Sequence, residues 1–237
     1  MLTDAVVFRQ RSLAIALVAF ALVFIVWHVP QLDFLLYPLR LFVTFVHETG
    51  HGVAALLTGG EIGRLVVFSN GSGIATTAGG TRALILPAGY VGAALFGGIL
   101  FYLTNTVLYS RSISLALALL VAAVSILYTD FLSTAWLVGI GFAAALALVA
   151  WKVSRNGNLL VLNLLAVITG LNAVMDVIGL VSNSSAALGD VRNDAAAFSA
   201  EIAPLIPAAV WAILWALLAV LILGAAVYYS LIRRHLK

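Results

Sequence analysis

Apolar residues in this chain come in long, nearly unbroken runs, with short polar interruptions between them. Runs of about 17 to 25 apolar residues match the length a helix needs, at about 1.5 Å per residue, to cross about 30 Å of hydrocarbon. Seven such runs are present, at 12–28, 34–57, 83–108, 112–128, 131–151, 159–181 and 204–231. The first has no small-residue cleavage pattern after it and leads straight into the second, so it reads as a retained helix rather than a secretory leader. The fourth and fifth are separated only by Thr129 and Asp130, which predicts a tight helical hairpin or a re-entrant segment. Two stretches break the pattern. Residues 61–82 carry a β-branched run, then Asn70-Gly71, then a second short run, and predict a β-hairpin with a primed turn. Residues 182–203 form the one long polar linker, expected to lie at the membrane surface as a loop with a short helix.

Composition fixes the class. Hydrophobic residues make up 64% of the 237, charged residues only 9%, and the mean hydropathy is +1.16. These values predict an all-α polytopic membrane protein of about seven transmembrane helices, with a short β-hairpin after the second. No internal repeat or linker divides the chain, so residues 1–237 read as a single integral membrane domain. The net charge of +3 comes from few residues, and no basic run interleaved with aromatics points to nucleic acid. The absence of cysteine excludes a disulfide scaffold and any thiolate metal site. Lys and Arg mostly flank the apolar runs without marking a clear cytoplasmic side. With seven crossings, the basic N-terminal and C-terminal stretches would fall on opposite sides, so one signal misleads or one span is miscounted.

The second run carries the chemistry. Residues 44–60, TFVHETGHGVAALLTGG, place His47, Glu48 and His51 where hydrocarbon is expected. A charged group at the centre of a membrane helix costs about 2.5 to 3.5 kcal/mol even on lenient insertion scales, so something must offset it. Histidines four apart on a helix lie one above the other, and both imidazoles can ligate one tetrahedral Zn²⁺. Glu48 follows the first ligand and sits beside the open position, where it can take a proton from water and pass it to a leaving amine. Two ligands leave a catalytic zinc one short. Besides Glu48, Asp176 is the only carboxylate deep in an apolar run and is the candidate third ligand, with pairing to Arg40 or a buried hydrogen bond to a neighbouring helix as the alternative. Asn172, four residues earlier on the same face, could hydrogen-bond a substrate carbonyl or oxyanion, or serve as interhelical glue. Asp190 and Asp194, in the polar linker, read as a solvated face rather than as ligands, although such a loop is also where a cover over an active site falls. Gly89, Gly92, Gly97 and Gly98 form a small-residue stripe expected to pack against the HExxH helix.

HETGH in a membrane helix, a hairpin after it, PAGYVGAALFG at 87–97 and NAVMD at 172–176 together resemble the site-2 protease class of intramembrane zinc metalloproteases, in its compact bacterial M50B-like branch. The resemblance spans about residues 35–228. It implies a multi-pass protein of a bacterial cell membrane that cuts transmembrane protein or peptide substrates within or near the bilayer. His47, His51 and Asp176 would be the metal ligands, Zn²⁺ the cofactor, Glu48 the general base and Asn172 a catalytic partner. Val177 follows the aspartate, and no proline stands between Asn172 and Asp176, where the family's pattern has an aspartate-glycine pair and a proline. The open edge of the hairpin could pair with an unwound substrate strand. Two other readings start from the same residues. One is a scaffold of this fold without hydrolysis. The other is an ion- or proton-coupled transporter, which would be expected to show repeated halves or broken helices in matching positions.

Overall fold

The computed structural model describes residues 2–182 and 193–235, with the side chains of 7–175 and 193–234. Seven long helices are present among the described residues: α1 (Leu2–His28), α2 (Asp33–Leu57), α4 (Ala88–Thr106), α5 (Ser110–Tyr128), α6 (Thr134–Lys152), α7 (Arg155–Ser182) and α9 (Ala208–Val227). Between α2 and α4 stand β1 (Glu61–Val67), β2 (Gly73–Ala78) and the short α3 (Arg82–Ile85), and before α9 stands α8 (Asp194–Glu201). A π-helical turn, Tyr228–Ile232, and α10 (Arg233–His235) follow α9.

Six of the long helices are apolar and long enough to cross a membrane. α2 is the exception, since Arg40, His47, Glu48 and His51 interrupt its apolar run over a length that would otherwise suffice. The protein is an integral membrane protein. Its outward leucines and isoleucines, such as Leu119, Ile126 and Leu221, are exposed as lipid-facing side chains should be.

Apolar burial does not drive helices together in lipid, so close packing and buried polar pairs do. At Gly97 a Cβ would come within 2.9 Å of the Ala166 carbonyl on α7, so glycine allows α4 and α7 to touch backbone to backbone. Asn105 donates to Asn163 across the same interface at 2.7 Å, and Ser114 on α5 donates to Asn158 on α7 at 2.9 Å. Such bonds contribute about 0.6 kcal/mol each in a membrane, so they fix register more than they stabilise. The glycine stripe therefore divides its work. Gly89 and Gly92 face α2, whereas Gly97 and Gly98 face α7 and α9.

Hydrogen bonds settle the parity of the crossings. Arg9 near the start of α1 donates to the carbonyl of Arg234 at 2.7 Å, and Arg234 donates to the carbonyl of Asn105 at the end of α4 at 3.1 Å. Arg155 at the start of α7 lies over the Phe8 ring. Both basic ends of the described chain thus lie at one end of the bundle, as an even number of crossings requires. α2 packs antiparallel to α4, with Phe42 against Phe96 and Gly50 against Gly92.

The hairpin is antiparallel, with Glu61 opposite Ala78 and Val67 opposite Gly73, and has an irregularity between Ile62 and Arg64. Its turn is not the two-residue primed form that Asn70-Gly71 suggests. Residues 68–72 form a wider loop in which Gly71 alone takes positive φ (93°), the Gly71 N–H bonds the Phe68 carbonyl, and Asn70 Oδ1 accepts from the Ser72 N–H. The tip is tied to α2 instead: Thr44 donates to the Gly71 carbonyl at 2.7 Å and Tyr37 to that of Ser69 at 2.9 Å.

Candidate metal centre

α2 presents His47 and His51 one turn apart, their ring centroids 4.8 Å from each other. His51 Nδ1 lies 2.7 Å from the Ile85 carbonyl oxygen. A carbonyl can only accept, so Nδ1 carries the proton and Nε2 is left with its lone pair pointing inward. The His47 ring meets the Tyr90 ring edge to face at 4.5 Å, which sets its tilt.

The third group is a carboxylate from α8. Asp194 Oδ2 lies 3.1 Å from His47 Nε2 and 3.3 Å from His51 Nε2, and the two Nε2 atoms are 3.1 Å apart. Asn193 caps α8 by accepting from the Ala196 N–H, which fixes Asp194 in the first turn. Phe198 packs against Trp211 and Trp215 of α9, and Glu201 receives two hydrogen bonds from Arg82, at 2.9 and 3.0 Å. These contacts hold α8 over the histidines.

The donor set fits a tetrahedral zinc. Ligands at about 2.0 to 2.2 Å in tetrahedral arrangement stand about 3.3 to 3.6 Å from one another. The three separations of 3.1 to 3.3 Å come close to that triangle. The inward lone pair of His51 and the carboxylate of Asp194 at such range repel unless a cation lies between them. The space is kept by Gly89, where a Cβ would run into both Nε2 atoms. We therefore expect Gly89→Ala to fold and to lose most of its bound zinc, measured by metal analysis of the purified protein.

Glu48 is 5% exposed and accepts a hydrogen bond from the Ala75 backbone in β2, while Gly73 closes over its carboxylate so tightly that a Cβ would lie 2.5 Å from Oε1. The free edge of β2 therefore faces the site, because the Ala75 N–H points away from β1.

Of the residues singled out from sequence, His47, Glu48 and His51 come together as expected. Arg40 pairs with Asp33 at 2.7 Å. Asn172 is half-buried on α7 beside the core residue Ala173. Asp176 continues that helix, but its side chain lies outside the described residues, as do Asp190 and Arg192. Among the described residues the carboxylate that meets both imidazoles is Asp194, which its polar surroundings in sequence suggested was solvated. The signal that could have marked it is the Asn193-Asp194 start of an apolar segment, AAAF, since an N-cap there predicts a docked helix rather than a free loop.

The family profile described as Peptidase M50B-like matches residues 15–226. No curated protein and no solved structure matches the chain.

Proposed function

The chain belongs to the Peptidase M50B-like family, and on that premise we propose that it is an intramembrane zinc endopeptidase that hydrolyses peptide bonds of membrane-protein substrates within or near the bilayer. The observation that carries the proposal is the convergence of His47, His51 and Asp194, with one donor atom of each within 4.8 Å of the others, beside the buried carboxylate of Glu48.

In this reading His47, His51 and Asp194 hold the ion. A bound zinc supplies a Lewis acid that polarises the scissile carbonyl and makes water acidic at neutral pH. Everything else is done by the chain. The Ile85 carbonyl fixes the His51 tautomer, so that Nε2 and not Nδ1 faces the ion. The Ala75 N–H orients Glu48, which takes the proton of the attacking water and delivers it to the departing amine nitrogen. The free edge of β2 beside Glu48 offers backbone groups to an extended substrate segment, which suits a reaction that requires a helix to unwind first. Water must reach the site, and His47 and Asp194 retain 16% and 22% side-chain exposure. Asn172 is assigned the hydrogen bond to the substrate carbonyl.

The test is purification in detergent followed by zinc analysis and cleavage of transmembrane reporter peptides. Wild type should carry about one zinc and cleave, and His47→Ala/His51→Ala should do neither. Equal zinc in the two proteins would defeat the reading.

A further inference from the structure

The end of the bundle remote from the metal centre holds an open cavity of about 740 Å³ between α1, α4 and α9. Gly89 at the centre and Tyr102 in the cavity wall are thirteen residues apart on α4, or about 20 Å at 1.5 Å per residue. Three arginines, Arg9, Arg233 and Arg234, line the cavity, and Ile99, Leu103 and Ile222 form its apolar wall.

The arginines are satisfied only in part. Arg9 and Arg234 donate to backbone carbonyls, and Arg233 lies 5.5 Å over the Tyr229 ring. Arg9 Nε is buried without a hydrogen-bond partner. Asp33, Asp130, Asp194 and Glu201 pair with groups elsewhere, Glu48 lies beside the histidines and Glu61 opens β1, so among the described residues no carboxylate balances this trio. Three like charges grouped at the end of apolar helices repel one another and are tolerated when an anion lies among them. The π-helical turn Tyr228–Ile232 widens α9 where the cavity opens, and single π-turns of this kind are frequent at functional sites.

A small soluble anion would satisfy the arginines and leave the apolar wall bare. A phospholipid answers both, with its phosphate at the guanidinium groups and its acyl chain along α4 and α9. The surroundings agree. Arg111, Lys152 and Arg155 lie at the same end, joined there by the hydrogen bond from Arg111 to the Val153 carbonyl. Such an excess marks the cytoplasmic side, whose leaflet is rich in anionic lipid. We propose that the Arg9, Arg233 and Arg234 cavity is a binding site for the headgroup of an anionic phospholipid.

The experiment adds phosphatidylglycerol, phosphatidylcholine of the same acyl chains, or inorganic phosphate to the protein in a non-ionic detergent. Thermal unfolding and retained lipid in native mass spectra are then read. Phosphatidylglycerol should raise the midpoint and remain bound, and the other two should not. Arg233 makes no hydrogen bond within the described protein, so Arg233→Gln should fold, keep its zinc and bind phosphatidylglycerol about tenfold more weakly. Arg9→Gln, which removes the buried Nε, should weaken binding as well. An equal midpoint shift with phosphatidylcholine or with inorganic phosphate would overturn the proposal. So would wild-type lipid affinity in both variants.

Discussion

Asp194→Ala is expected to lower zinc affinity by at least about a hundredfold, measured by competition with a chelator. Removal of a mere supporting partner of a ligand already costs 10- to 100-fold, and a direct donor is worth more. The substitution also leaves His47 and His51 facing each other with no anion to balance the ion's charge. The informative comparison is Asp176→Ala, because that residue stands in the position the family resemblance assigns to the third ligand. If Asp194 holds the metal, Asp176→Ala keeps zinc near the wild-type level. The opposite pattern, with zinc retained in Asp194→Ala and lost in Asp176→Ala, would return the role to α7. Glu201→Gln is a useful companion, since it leaves the donor set intact and loosens only the clasp with Arg82.

The second large effect is on the chemistry rather than on the metal. Glu48→Gln should bind zinc like wild type and cleave reporter peptides about 10² to 10⁴ times more slowly, the span attributed to general acid–base catalysis. Glutamine preserves the shape of the pocket closed by Gly73 and can still accept from the Ala75 N–H, so folding is not in question. What it lacks is an oxygen basic enough to take a proton. Cleavage by Glu48→Gln at a rate near that of wild type would remove Glu48 from the proton path.

The parts of this protein written in local pattern could be read from sequence. Long apolar runs gave the helices because only helices satisfy every backbone group in lipid. The four-residue spacing of His47 and His51 gave their shared direction because helical periodicity is fixed. The hairpin followed from its β-branched run, yet its turn type did not. Tyr37 and Thr44, far away in sequence, hold the loop 68–72 open, and a turn motif cannot anticipate tertiary hydrogen bonds. Asp194 was hidden for the same reason. Its polar neighbours made it look solvated, and what draws it inward is the packing of Phe198 on Trp211 and Trp215 with the Arg82–Glu201 pair, all long-range contacts. The parity of the crossings was equally invisible, because charge counts weigh residues near helix ends but do not say that Arg9 and Arg234 touch.

If Asp194 is the third donor of the proposed zinc site, it arrives on a short helix held by its own anchors, and occupancy of the centre and docking of α8 then form one linked equilibrium. Phe198, Trp215 and Tyr90 lead ring by ring from that helix to His47. Linkage is reciprocal: whatever factor the ion gains in affinity from a seated α8, the seated state gains from the ion. Contacts well away from the histidines therefore tune how firmly the protein keeps its cation, and withdrawal of the cation should be felt first as loosening of α8 rather than as unfolding of the helices around it.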